Sequence, residues 1–430
     1  MPIWADLLIG ATLLFFAAIG LLFLTRGNPI SRIRLLGDEA GAPDASDDDF
    51  RRVIEAHLNT TMLNENALEV LTNGAVYPRL FEDLSRAERL ITWHVFWFKP
   101  GRLAERLREV LEERARAGVK VLLIRDAFGS WARGWDGYWD SLEAAGVEIA
   151  TFRPLRWNTI YKVQQRSHTR TVVIDGRLGY TGGFSICDEW LGDGRHPDQW
   201  RDTSVRIDGP SAAQLQSAFA ADWAEARGEL IVGDDAFPPD VFDRRDSGGY
   251  AGLIYSAPSV GSTDAERYFA LSITAAKRRL YITNPYFVPD DDFRRLLAAA
   301  VERGVDVRVL TPGRNTDKKA VLYAGRAHFE AMLSAGIRIY EYDPTMVHAK
   351  TLVADGVWSS IGTINFDNRS MSLNDEVALV IHDGEVGAVL ERLFLDDIEY
   401  ATELELETFT QRSAPSRVLE RLCMIFVRFL

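Results

Sequence analysis

Ser167-His168-Thr169-Arg170-Thr171-Val172-Val173-Ile174-Asp175-Gly176 returns 180 positions later as Val347-His348-Ala349-Lys350-Thr351-Leu352-Val353-Ala354-Asp355-Gly356. Each copy sets a histidine two residues before a cation and closes on an aspartate beyond a short apolar run. Gly182-Gly183-Phe184-Ser185 follows the first aspartate at the distance at which Gly362-Thr363-Ile364-Asn365 follows the second. A register shared by so many residue types reads as one catalytic half-site used twice. The apolar runs 171–174 and 351–354 are predicted strands, along which alternate side chains share a face. His168 and Arg170 are therefore expected as neighbours, as are His348 and Lys350. Glycines at 182, 183 and 362 let backbone approach a ligand closely, and Ser185 and Asn365 can offer hydrogen bonds to an oxyanion.

The flanks repeat as well. GRLAERLREVLEERARAGVKVLLIRD (101–126) predicts a charged helix, a stop at Gly118 and a buried strand; DDFRRLLAAAVERGVDVRVLTP (291–312) predicts the same, with Gly304 as the stop. A matching strand precedes each, over 89–98 and 279–288. A strand and an amphipathic helix close each half, over 204–226 and 378–398. The alternation is that of an α/β fold, and the period of about 180 residues is too long for a solenoid. An Asp-, Pro- and Gly-rich junction lies near 232–250. The expected domains are a membrane anchor over 1–28, an acidic linker over 29–50, a first repeat over 51–235, a second over 248–410 and an amphipathic tail over 411–430.

The 430 residues, 47% hydrophobic and 26% charged, suit a large globular core. Cys187 and Cys423 offer neither a disulfide framework nor a CxxC motif. A formal net charge of −13 disfavours a nucleic-acid partner but is compatible with a phospholipid if positive charge is local. Arg153, Arg156, Lys162, Arg166 and Arg170, with Trp157 and Tyr161 interleaved and no acid among them, form such a concentration.

Residues 7–24 are uncharged and long enough to span a bilayer. No basic residue precedes them and no cleavage signal follows, so a retained single-pass anchor in the cell (inner) membrane is expected rather than a signal peptide. Arg26, Arg32 and Arg34 then put the catalytic body on the cytoplasmic side. Asp38, Glu39, Asp44, Asp47, Asp48 and Asp49 mark a solvated tether. RVLERLCMIFVRFL (417–430) is too short to span and reads either as an interfacial helix or as one that docks on the core.

A neutral imidazole can attack phosphorus while a protonated one donates to the leaving oxygen, and the cations hold the phosphoryl oxygens. An aspartate behind each histidine can fix its tautomer. Asp290-Asp291-Asp292 reads as helix-capping charge, and no metal or other cofactor is called for. His57, His94, His196, His328 and His382 are expected to be structural.

With these motifs the chain resembles the phospholipase D superfamily, whose signature is His-x-Lys-x4-Asp followed by a Gly-rich polar segment, and within it the bacterial cardiolipin synthases. VVIDGRLGYTGGFSICDEWLG (172–192), WRDTSVRIDGP (200–210), NPYFVPDDDF (284–293), RGVDVRVLTP (303–312) and HAKTLVADGVWSSIGTINFDNRSMSLNDE (348–376) carry the closer likeness, which covers about residues 65–400. The resemblance implies two α/β repeats, each a mixed β-sheet flanked by helices, packed about a pseudo-twofold axis around one site. It implies His168 as nucleophile, His348 as general acid and then base, and Arg170 and Lys350 as phosphate ligands. Asp175 and Asp355 belong to the catalytic motifs as their structural partners, Ser185, Asn365, Gly183 and Thr363 to the phosphate pocket, and Asp202 and Glu376 to the support of the histidines. The implied activity is transfer of a phosphatidyl group between two phosphatidylglycerol molecules, giving cardiolipin and glycerol. The alternatives are hydrolysis with water as acceptor, a phosphodiesterase acting on nucleic acid, and a non-catalytic membrane scaffold. Arg170 departs from the family's lysine, and one amino-terminal span stands where such synthases often carry two.

Overall fold

The computed structural model describes residues 3–24, 33, 42–130, 137–154, 165–242, 248–258 and 264–425. In the first half the strands are β1 (Leu63–Thr72), β2 (Leu90–Val95), β3 (Lys120–Asp126), β4 (Glu148–Phe152), β5 (Arg170–Ile174), β6 (Leu178–Gly182), β7 (Trp200–Arg201) and β8 (Thr203–Asp208). In the second they are β9 (Gly249–Ser256), β10 (Arg279–Thr283), β11 (Asp306–Pro312), β12 (Arg338–Tyr342), β13 (Met346–Val347), β14 (Thr351–Ala354), β15 (Trp358–Gly362), β16 (Glu376–His382) and β17 (Ala401–Glu403).

Strand order makes the duplication explicit. The first half runs β1-β8-β6-β5-β2-β3-β4 and the second β9-β16-β15-β14-β10-β11-β12, with β17 added at the outer edge. In both, the outer three strands are parallel and the rest antiparallel. The halves join where β1 pairs antiparallel with β9. A second connection, the parallel pair β7–β13, crosses between them.

Each half forms for the same local reasons. Helix Arg102–Arg116 buries Leu103, Leu107, Val110 and Leu111, one apolar face at helical spacing. It gives way at Gly118, whose φ of 93° is costly for a side-chain-bearing residue, and β3 follows. Helix Asp291–Glu302 buries Phe293, Leu297 and Ala300 and gives way at Gly304 (φ 89°) before β11. Asp290 caps it, accepting from the backbone N–H groups of Asp292 and Phe293 at 2.9 Å each. β5 is buried along its whole length, and β14 is buried except at Thr351, as expected of central strands covered on both faces.

Among the described residues, three apolar clusters are large. One packs helices against the outer face of the first half, around Leu107, Trp93 and Val172. One does so for the second half, around Phe269, Leu297 and Trp358. The third, with Val173, Val205 and Leu215 from one half and Leu253, Ile361 and Leu379 from the other, lies between them.

Three expectations shift. The segment at the expected start of the first repeat packs on the second: Phe50, Ile54, Leu58 and Met62 are buried in the second half's core, and Phe50 meets Trp358 edge to face with centroids 4.9 Å apart. The acidic linker is tethered at its end, where Ala45 is fully buried and bonded to Ala275. The strands expected over 89–98 and 279–288 stop at Val95 and Thr283, freeing Phe96, Trp97 and Tyr286 to line a cleft. Among the described residues no helix is long and apolar enough to cross a membrane. The amino-terminal helix is Ile3–Leu24, and several of its side chains lie outside the described residues, as do Arg26, Arg32 and Arg34.

Candidate active site

β5 and β14 start at the same end of the sheet as β8 and β16, and this places four functional side chains there. Backbone pairing fixes their register. The His168 N–H donates to Asp375 O at 2.8 Å, and the His348 N–H donates to Arg201 O at 2.7 Å. Each histidine therefore lies beside the residue that precedes a buried carboxylate of the opposite half.

The carboxylates cross over. His168 Nδ1 stands 2.9 Å from Glu376 Oε2, and His348 Nδ1 2.8 Å from Asp202 Oδ2. Glu376 also accepts from Thr363 Oγ1 (2.5 Å), Ser370 Oγ (2.7 Å) and Asn374 Nδ2 (3.1 Å). Asp202 accepts from the Trp190 indole (2.7 Å) and from the Thr203 N–H (2.7 Å). Burial alone would raise Asp202, but His348 and Lys350 outweigh it and hold the carboxyl at about 2. Glu376 is likewise lowered against burial, chiefly by His168. Two ionised carboxylates can only accept, so each Nδ1 carries the proton and each Nε2 presents its lone pair.

The cations meet those lone pairs. Lys350 Nζ lies 2.8 Å from His348 Nε2 and donates to His348 O at 2.6 Å. Arg170 Nη1 lies 3.2 Å from His168 Nε2 and 3.2 Å from His168 O, while its Nε reaches Ser185 Oγ at 3.4 Å. One guanidinium nitrogen thus takes the place that the ammonium takes in the other half. Burial, with the Arg170 charge adding and Glu376 opposing, lowers His168 to about 4. Burial and Lys350 push His348 well below the usual range, and burial also depresses Lys350 and Arg170.

His168, Arg170, His348 and Asn365 line a cleft of about 210 Å³. Phe96, Trp97, Trp190, Trp200, Tyr286 and Val321 form its apolar walls, and Arg166, Lys318 and Arg369 add positive charge. Asn365 donates to Ser370 Oγ, and its buried Oδ1 has no bonding partner among the described residues. Of these lining residues, sequence reasoning missed Arg369, Lys318, Tyr286 and the tryptophans. Trp190, Tyr286 and Arg369 fall inside the very stretches quoted above for the family likeness, and that was the available signal.

Some expected residues sit elsewhere. Asp175 and Asp355, expected within the catalytic motifs, do not reach the histidines. Asp175 accepts from the backbone N–H groups of Glu88, Arg89 and Leu90 at 2.8–2.9 Å, and Asp355 from those of Lys277, Arg278 and Arg279 at 2.8 Å. Each lies at the far end of its strand in the left-handed region (φ 52° and 55°), a conformation Asp tolerates. They tie the turn after β5 or β14 to the start of β2 or β10. Gly183 and Thr363, expected in the phosphate pocket, serve the carboxylates: a Cβ on Gly183 would fall 2.1 Å from Asp202 Oδ1, where Thr363 instead places a hydroxyl on Glu376. Ser185 is fully buried behind Arg170. In the basic lead-in, Arg153 is engaged by Asp375 (2.6 Å) and Glu225 (2.7 Å), and Arg166 donates to Arg153 O. Arg156, Trp157, Tyr161 and Lys162 lie outside the described residues.

Comparison with known proteins finds similar sequences and a similar fold. Residues 271–398 match the family model "Cardiolipin synthase, PLD-like domain". A cardiolipin synthase of Geobacillus kaustophilus is 38% identical over 353 residues, covering 82% of this chain and 70% of the relative. A probable cardiolipin synthase of Bacillus subtilis is 30% identical over 92% of this chain and 79% of its own length. Among solved structures, a phosphatidylserine synthase of Haemophilus influenzae superposes with a TM-score of 0.66 at 14% identity, over 88% of this chain and 99% of that one, which establishes a shared fold.

Proposed function

This chain belongs to the cardiolipin synthase family of phospholipase D-like proteins, and from that premise we propose that it is a membrane-bound phosphatidyltransferase joining two phosphatidylglycerol molecules into cardiolipin. One observation carries the reading: two imidazoles, each backed by a carboxylate at Nδ1, turn their Nε2 atoms into a single cleft beside two cations.

His168 Nε2 attacks the phosphorus of the first phosphatidylglycerol, and the bond from phosphorus to the glycerol headgroup oxygen breaks. His348 gives that oxygen its Nε2 proton, and glycerol leaves. The free hydroxyl of a second phosphatidylglycerol then attacks the phosphohistidine, His348 takes its proton, and the P–N bond breaks to release cardiolipin. Arg170 and Lys350 exchange their contacts with the imidazoles for the non-bridging phosphoryl oxygens. A bound phosphodiester also brings the negative charge that lets His348 hold a proton that burial and Lys350 otherwise expel. The aromatic walls favour a lipid hydroxyl over water as acceptor, since they leave little polar surface to order a water molecule. Residues 7–24 act as a single-pass anchor in the inner membrane, with the body on the cytoplasmic side.

Purified protein in mixed micelles with phosphatidylglycerol as sole lipid should yield cardiolipin and glycerol in equal amounts, resolved by mass. Glycerol with phosphatidic acid, and no cardiolipin, would overturn transfer in favour of hydrolysis. An acid-labile phosphohistidine should be trapped on the wild type and be absent from His168→Ala.

A further inference from the structure

The carboxyl-terminal helix Ala414–Ile425 is held on the body by a built contact. Cys423 and Met424 pack on Val288, Val321 and Ala324. Glu420, almost fully buried, accepts from Arg412 at 3.1 Å and faces Arg326 at 3.6 Å. This fixes which face points outward: Val418, Leu419, Leu422 and Ile425 are 57%, 42%, 51% and 67% exposed. At 3.6 residues per turn they form one stripe, flanked on one side by the exposed Arg417 and Arg421. The sequence continues beyond the described helix as Phe-Val-Arg-Phe-Leu, with the same composition.

We propose that this outward face is a docking surface for an anionic lipid bilayer, which seats the mouth of the cleft against its substrate. Three observations favour a bilayer as occupant. The apolar group beneath the helix includes Val321 and Tyr286, which also line the cleft, so the docked helix continues the cleft wall. The stripe is apolar with arginines at its border, the pattern that inserts at a headgroup boundary and meets anionic lipid. In a chain of net charge −13, that local reversal suits an anionic surface. The proposal rests on the lipid-transfer reading for its purpose, not for its geometry.

The test uses the full chain. On vesicles of phosphatidylglycerol and phosphatidylcholine, Leu419→Asp/Leu422→Asp should lose at least about tenfold in turnover, the scale of withdrawing two leucines from an apolar phase. On dispersed short-chain phosphatidylglycerol it should match the wild type. Unchanged vesicle turnover, or an equal loss on both substrates, would overturn docking. Arg417→Gln/Arg421→Gln, which spares the apolar face, should weaken vesicle turnover most at low salt; a salt response like that of the wild type counts against the proposal. Amide exchange over 414–425 in nanodiscs supplies a readout independent of catalysis. It should slow in phosphatidylglycerol discs relative to phosphatidylcholine discs, and equal exchange refutes docking even if the transferase reading fails.

Discussion

Arg170 brings a planar, five-donor group to a place that Lys350 fills with a single ammonium. Its Nη1 reproduces both lysine contacts, to the imidazole Nε2 and to the histidine carbonyl, and its Nε uses Ser185 as a rest. The Arg170 guanidinium therefore makes the contacts in the first half-site that the Lys350 ammonium makes in the second. Arg170→Lys should keep turnover within about tenfold, whereas Arg170→Met should lose about 10²–10³-fold, the cost of removing a donor aimed at developing charge. Steady-state assays on phosphatidylglycerol check both. His168 makes a second, thermodynamic prediction. Its folded pKa of about 4 lies below the unfolded 6.5, so between those values the unfolded chain binds more protons and stability falls with falling pH. The loss approaches about 3 kcal/mol by pH 4 at about 1.36 kcal/mol per pH unit. Above pH 6.5 the term vanishes. Urea unfolding across pH 4–7 should show a shallower decline for His168→Gln than for the wild type.

At the scale of elements, strands such as β3, β5 and β14 were readable because each carries a continuous apolar run, whereas β1, which alternates with polar and charged residues, was not. The helices were readable because their apolar faces recur at helical spacing before Gly118 and Gly304. The crossover of carboxylates was not derivable from spacing. Glu376 lies 208 positions from His168 and Asp202 lies 146 from His348, and family resemblance alone singled them out. Spacing even misled: an aspartate seven residues after a histidine suggests a dyad, yet the strand between them carries Asp175 to the other end of the sheet. The basic lead-in misled in another way, because charge in a sequence does not reveal its partner. Arg153 bridges Asp375, which precedes Glu376, to Glu225 on helix Ala212–Arg227, and so braces the segment that sets the His168 register. Burial drives Asp375 upward and Arg153 opposes it. Without the arginine, Asp375 can take up a proton instead of remaining an unpaired charge. Arg153→Met should accordingly cost about 1–3 kcal/mol in chemical denaturation and lower kcat more than it raises KM.

For the whole molecule, the duplication was legible but its boundary was not, since an amphipathic helix near 51 does not declare which core it will cover. Phe50 lies on that helix, Asp48–His57, and fills the second half's core against Trp358. Phe50→Ala should therefore destabilise the protein by about 3–5 kcal/mol, although it lies more than a hundred residues before the first strand of the half it supports. Calorimetry should show one transition moving down in temperature, because the shared core between the halves couples their unfolding.

The crossing of histidine and carboxylate has a consequence for descent. A lone repeat would own an imidazole without its acid and an acid without its imidazole, and so could do no chemistry by itself. Two copies of that repeat, meeting edge to edge as β1 meets β9, would each repair the other's deficiency. An ancestor with half this chain is thus expected to have worked only as a symmetric pair. Within this one chain the two copies differ, with Arg170, Asp202 and Gly183 on one side and Lys350, Glu376 and Thr363 on the other, yet each still completes the other's histidine.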